Sequence, residues 1–327
     1  MNYYDIRREI KDLVRQKGGF CNAHSHLDKS YTLTKDNKDI CNKHLKNKWN
    51  LIDSIKRNST IYDIKDRIEY SLIKQTLYNT HNILTFIDVD SVAKSTGLEA
   101  LELAKENYLA TQIYSANQTI KGILNKKEYE WFLKGAEQCD FIGSLPKVDD
   151  NIELHLDILF DTAKNFNKHI QIHCDQFSLI EEKETELILK YIDKYNWQGK
   201  VSLIHCLSLA SQEKSYRYKI YEKLEETRTN IIIAPLIWID TPRNEELQPR
   251  HNCLTPVDEM LEFNINIAMG TDNISDLNGM LSNGDMMEEL IFLIRACRLY
   301  NKIEECINIA TINGNKIINN RLNNNII

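Results

Sequence analysis

The chain predicts an α/β protein, a closed (β/α)8 TIM barrel, from three observations. Eight short apolar runs of strand type follow one another. After the first run, successive starts fall roughly 30 residues apart, the length of one strand-plus-helix unit. No Gly-rich phosphate turn follows any run, as an open doubly wound sheet would be expected to carry, so the closed barrel is favoured.

Taken in order, residues about 3–17 read as an amphipathic helix stopped by Gly18 and Gly19. The strand-type runs are "GFCNAH" from 19, "NILTFIDV" from 82, "TQIYSA" from 111 and "DFIGSL" from 140. Then come "HIQIHC" from 169, "KVSLIHC" from 200, "NIIIAPLIWI" from 230 and "NINIAMGTD" from 264. Between them, "NIELHLDILFDTAKNFN" and "ETELILKYIDKY" carry apolar residues at helical spacing. The "GDMMEE" stretch from 284 reads as a loop entering a helix, with Asp285 near its N-terminus. The first unit is longer than the rest. An insertion over about 30–80, including "HLKNKWNLIDSIKR", is expected to form helices over the barrel mouth and to act as a lid or as an enlarged helix layer. Nothing marks a second domain, so residues 1–327 read as one barrel, with "NNRLNNNII" as a frayed terminus.

A 42% hydrophobic and 27% charged composition is that of an ordinary globular protein. The net charge of −6, with lysines scattered among acids, gives no footprint for nucleic acid. No apolar run is long enough to span a membrane, and the charged N-terminus lacks a secretory core. Eight cysteines without a CxxC pair are too sparse for a disulfide scaffold; Cys21, Cys174 and Cys206 lie in apolar segments as small hydrophobes of a reducing cytoplasm. A homo-oligomer is left open.

In such a barrel the chemistry gathers at the C-terminal ends of the strands. The first strand ends in His24 and His26, which a strand can turn to one face. The fifth ends in His173, the sixth in His205 and the eighth in Asp272. Any one of these is ordinarily a hydrogen-bonded core residue. Five at one rim, from four strands, suit a Zn²⁺ or Fe²⁺ ion with a position open for water, whose pKa the metal would lower.

With "HSHLDK", "HCDQ", "IHCLSL" and "GTDNISD" in that order, the chain resembles the metal-dependent amidohydrolase superfamily, in particular its cytosine deaminase branch. The resemblance runs from about residue 19 to the C-terminus and includes "QIYSANQTIKGIL" and "APLIW". It implies that His24, His26, His173 and Asp272 hold one divalent ion, Zn or Fe. It implies that His205 polarises or orients the reacting group and that Asp272 accepts the water's proton. Gln118 matches a substrate-binding glutamine. The branch usually carries Glu three residues after the strand-five histidine and a second Asp after the strand-eight Asp. Here these positions are Gln176 and Asn273, neutral isosteres that cannot serve as acids. The substrate is therefore expected to present a different hydrogen-bonding edge from cytosine, or to need less help at the ring nitrogen. Asp175, Glu181, Glu182 or a water remain open as the proton donor. The β-sandwich that relatives wrap around the barrel is expected to be absent.

Asp28 and Lys29, just past the histidine pair, are candidates for substrate binding or for supporting the ligands. Trp238, placed at the end of the seventh strand, is a candidate to stack on a flat ring, with a packed core tryptophan the favoured reading. Arg250 and His251 are candidates to face the site, whereas His44, His81, His155 and His169 read as structural or surface. The expected function is hydrolysis of a C–N bond in a nitrogen heterocycle such as a pyrimidine, purine, pterin or triazine, deamination first. A cyclic amide or amine hydrolase with another leaving group, and a barrel that binds a small molecule without turnover, are the alternatives.

Overall fold

The structure, a computed structural model, describes residues 3–42, 45–240 and 254–321. Eight parallel strands alternate with helices, as expected: β1 Phe20–Ser25, β2 Thr80–Asp88, β3 Gln112–Gln118, β4 Ile142–Ser144, β5 Ile170–Cys174, β6 Val201–His205, β7 Asn230–Ile233 and β8 Ile267–Met269. The helices are α1 Ile6–Gln16, α2 Leu45–Asn58, α3 Ile61–Leu77, α4 Thr96–Asn107, α5 Lys126–Gln138, α6 Ile152–Phe166 and α7 Glu184–Tyr195. They continue with α8 Lys214–Glu226, α9 Ile237–Asp240, α10 Val257–Met260, α11 Met286–Ala296, α12 Ile303–Ala310 and α13 Ile312–Asn320. Among the described residues all strands belong to this barrel, and there is no flanking β-sandwich.

Hydrogen bonding divides the barrel into two parallel arcs, β1 to β3 and β4 to β8. Single bridges, Ala116 with Phe141 and Ser25 with Asp272, close the two seams. At both seams a glycine lets backbones approach closely. A Cβ on Gly143 would lie 1.9 Å from the Asn117 carbonyl oxygen, and one on Gly270 would lie 2.3 Å from that of His24. Alternation along the strands separates two apolar sets. Ile172, Leu203, Ile231 and Ile267 pack toward the helices. Leu84, Phe86, Ala116, Phe141, Ile204, Ile232 and Ala268 fill the interior.

Local chemistry bounds several helices, and Asp285 lies at a helix N-terminus as expected. Asp285 caps α11, its carboxylate accepting from the Met287 N–H at 2.8 Å. Thr60 and Asp63 form a reciprocal capping box that starts α3. Asn167 and Asn196 close α6 and α7 in the left-handed conformation. The seventh strand departs from the expectation. It stops at Ile233, because Pro235 has no N–H for a ladder and constrains the residue before it. Trp238 therefore sits on α9 and not on a strand end.

The insertion is helical. Its second helix, α3, is the packing helix of the first unit, burying Ile64, Ile68 and Leu72. Its first, α2, reaches the C-terminal ends of the strands: Lys56 meets the Asp88 carboxylate at 2.8 Å and that of Asp90 at 2.9 Å, and Asp53 meets Lys121 at 2.6 Å.

Candidate active site

His24 lies on β1 and His173 on β5, while His26 is the first residue past β1. His205 ends β6, next to Ile204 of the interior set, so strict alternation would turn it toward the helices. A left-handed backbone at His205 (φ 77°) breaks that alternation, and Asp272 past β8 has the same habit (φ 56°). Such conformations cost energy and persist where surrounding structure enforces them.

The result is one buried cluster. The Asp272 carboxylate oxygen Oδ1 stands 3.6 Å from His24 Nε2 and 3.3 Å from His26 Nε2, and Oδ2 stands 3.5 Å from His205 Nε2. His24 Nε2 and His173 Nε2 are 3.2 Å apart. Within the sets His24, His26, His173 and His24, His205, Asp272, donor atoms all lie within 4.8 Å of one another. Phe86 packs edge-on against the His24 and His173 rings, with centroids 5.0 and 4.8 Å away.

Burial lowers the pKa of all four imidazoles, that of His205 to about 4 and that of His173 well below its ordinary value. Burial acts to raise the Asp272 carboxyl, but His24 and the other histidines hold it well below the carboxylate range. Neutral imidazoles around a buried carboxylate are a site wanting a cation. The separations fit one: two nitrogens bound at 2.0–2.1 Å to a tetrahedral ion lie ~3.3 Å apart. Among the described residues the four Nδ1 atoms have no hydrogen-bond partner, so no donor there forces the proton onto Nε2.

The other expected residues are held in different ways. Gln118, at the end of β3, is buried, and its Oε1 has no partner among the described residues. Gln176 is half-buried in the turn after β5, and its amide makes no hydrogen bond among the described residues. The Asn273 amide donates to Asp276 at 2.5 Å, tying the loop after β8. Asp28 accepts the Asp88 N–H at 3.0 Å, and Lys29 pairs with the Asp88 carboxylate at 3.2 Å. Trp238 is buried in the main apolar cluster, and its indole N–H has no partner among the described residues. Arg250, His251 and His44 lie outside the described residues.

Two of the candidate proton donors are held in structural bonds. Asp175 accepts the N–H groups of Glu184 and Thr185 and so caps α7. Glu182 takes Lys147, the Ser208 hydroxyl and the Phe177 N–H. Glu181 is exposed. His155, far from unpartnered, joins Ser144 at 2.7 Å and Asp149 at 2.6 Å in a buried chain that also receives the Ile123 N–H.

The sequence reading passed over Asp88, Asp90 and Lys56. The signal was present in "FIDVD", where two acids two apart leave the end of β2 much as two histidines leave β1. Asp88 bridges Lys29 and Lys56, linking the rim beside His26 to α2. Lys56→Met is expected to destabilise the fold by about 3–5 kcal/mol, because it leaves the buried Asp90 carboxylate without a cation and Asp88 with Lys29 alone. Urea unfolding measures this; a loss below about 1 kcal/mol, the scale of a surface pair, would show that α2 is not latched.

Fold and site together define a class: a metal-dependent hydrolase built on a (β/α)8 barrel, with its donor atoms on the C-terminal rim. The amidohydrolase family model matches residues 153–322, and the chain belongs to that family. An uncharacterised protein of Haemophilus influenzae is 38% identical over 259 residues, 77% of this chain and 94% of that protein. The N-isopropylammelide isopropyl amidohydrolase of Pseudomonas sp. is 25% identical over 305 residues, 86% of this chain and 70% of that one. The 5-methylcytosine deaminase of Klebsiella pneumoniae superposes with a TM-score of 0.85 at 19% identity, covering 92% of this chain and 74% of that one. The fold is that of the cytosine deaminase-like branch, and the protein is a hydrolase of carbon–nitrogen bonds. Among the described residues no helix is long and apolar enough to cross a membrane.

Proposed function

We propose that this protein hydrolyses an exocyclic C–N bond of a small nitrogen heterocycle, with release of ammonia or an amine. The observation that carries this reading is the convergence of His24, His26, His173, His205 and Asp272 in one buried cluster. Its likeness to an amidohydrolase named for N-isopropylammelide supports a ring substrate bearing an amino or alkylamino group.

In this reading His24, His26, His173 and Asp272 hold one divalent ion, Zn or Fe, which lowers the pKa of a water and polarises the substrate. Burial keeps the imidazoles neutral, so their lone pairs are available near pH 7. Asp272 reaches the ligand histidines through one oxygen and His205 through the other. It is placed to accept the attacking water's proton and pass it to the leaving nitrogen. His205 donates a hydrogen bond to the oxygen that gains charge as the ring carbon turns tetrahedral. Gln118 reads the ring edge through its Oε1. Gln176 donates or accepts there without supplying an acidic proton, so the substrate is one whose ring nitrogen needs no protonation by a carboxylic acid.

Residues 1–327 act as one barrel unit, with α2 as a cover over the rim. The seven described cysteines are buried and form no disulfide with one another, in keeping with a reducing cytoplasm. The net charge of −6 supports a small molecule and not nucleic acid as the partner.

The test is direct. Purified protein should carry about one Zn or Fe per chain. It should release ammonia or amine from some member of a panel of pyrimidines, purines, pterins and triazines, lose that activity in chelator and regain it with metal. Full metal content with no turnover across the panel would favour a binding protein, the reading that the neutral Gln176 and Asn273 support.

A further inference from the structure

We infer that two copies of this chain associate through the outer face of α3, packed antiparallel about a two-fold axis near Tyr70. The inner face of this helix is buried against the barrel, with Ile64, Ile68, Leu72 and Gln75 inside. The opposite face carries Tyr62, Asp66, Tyr70, Ile73 and Leu77, spaced by four, four, three and four residues, which is one stripe of a helix. Its apolar members are open to solvent, Tyr62 by 71%, Tyr70 by 49%, Ile73 by 46% and Leu77 by 76%. Single exposed apolar side chains are ordinary, whereas a continuous stripe on one helix marks an interaction surface. Leu109 extends it. Its neighbours Tyr108 and Thr111 both bond to Thr76, at 2.6 and 2.8 Å, which sets this exposed leucine beside the C-terminal turn of α3.

The surface complements itself, which selects a second copy as its occupant. Asp66 is exposed, and Lys74 lies over the Tyr70 ring with no carboxylate partner among the described residues. These two residues are equidistant from Tyr70 in sequence. An antiparallel pair therefore sets Asp66 of each copy against Lys74 of the other, twice by symmetry. The same pairing sets Tyr62 against Leu77. Leu77 borders a groove of about 320 Å³, with Arg7, Lys11 and Arg15 on its α1 wall and Asp285 and Glu288 on the α11 side. Tyr62, flanked by Asp63 and Asp66, brings an aromatic ring and acids to a groove with a basic wall. Antiparallel alignment also opposes the two helix dipoles favourably.

Sedimentation velocity across micromolar concentrations should show a dimer. Leu77→Glu should give a monomer. Asp66→Lys and Lys74→Asp should each weaken association by at least about tenfold, since each sets like charges together twice. The double reversal, Asp66→Lys with Lys74→Asp, should restore the dimer. These positions are exposed or half-exposed, so circular dichroism should show the fold intact. As a second readout, Tyr70→Cys should form an intermolecular disulfide under mild oxidation, because the described native cysteines are buried. A monomer at every concentration, or a dimer unmoved by either single reversal, overturns the proposal.

Discussion

His205→Ala should lower turnover by about 10³-fold, as loss of a group acting only in the transition state does, while bound metal stays near that of the parent protein. His205 meets the cluster through the second oxygen of Asp272, at 3.5 Å, while its ring lies 5.5 and 5.9 Å, centroid to centroid, from those of His173 and His24. Three imidazoles and the other Asp272 oxygen remain to grip an ion. His173→Ala should behave differently. His173 Nε2 stands 3.2 Å from His24 Nε2 among the donors, so its loss should remove both metal and activity. Metal analysis of the two purified variants, beside ammonia release, separates the roles. The fold should survive His205→Ala, since alanine bears the left-handed backbone at 205 no worse than histidine does. The assignment fails if His205→Ala keeps near-parental turnover, or if His173→Ala keeps a full complement of metal.

Gly270→Ala should be among the most damaging small substitutions in the barrel. The added Cβ would lie 2.3 Å from the His24 carbonyl oxygen, 2.5 Å from its N and 2.8 Å from its Cα. These are backbone atoms, and they cannot rotate away as a side chain would. Relief requires β8 to move from β1, where Asp272 N–H bonds the His24 carbonyl at 2.9 Å. Overpacking of this kind costs about 3 kcal/mol or more, which for a domain this large lowers Tm by roughly 4–5 °C. Activity should fall further than stability, because the seam carries both His24 and Asp272. Gly18→Ala is the control. Gly18 has φ 88° but nothing within 4 Å of its would-be Cβ, so its cost should stay near the ~1 kcal/mol of local strain. Equal Tm losses for the two variants would refute the seam argument.

The metal-ligand candidates were readable because each closes a short apolar run, and a barrel sends the ends of such runs to one rim. Residues whose roles depend on distant partners were not. Asp88 and Lys56 are 32 positions apart and meet only because α2 folds back over the rim. Asp175 and Glu182 looked like spare acids in sequence, and packing commits both to holding loops. Trp238 was misplaced because the apolar run continues past Pro235 while the ladder cannot.

By itself the sequence determined the order of strands and helices, the start of α11 at Asp285 and the histidines that stand at the strand ends. These rest on period, local turn chemistry and short-range side-chain preference, which act within a few residues. Only the tertiary structure decided that His205 turns inward against its strand's alternation, that Gly143 and Gly270 close the seams, and which carboxylates remain free of structural bonds. Those outcomes depend on long-range contacts, where the backbone of one strand sets the space and the hydrogen bonds open to another far along the chain.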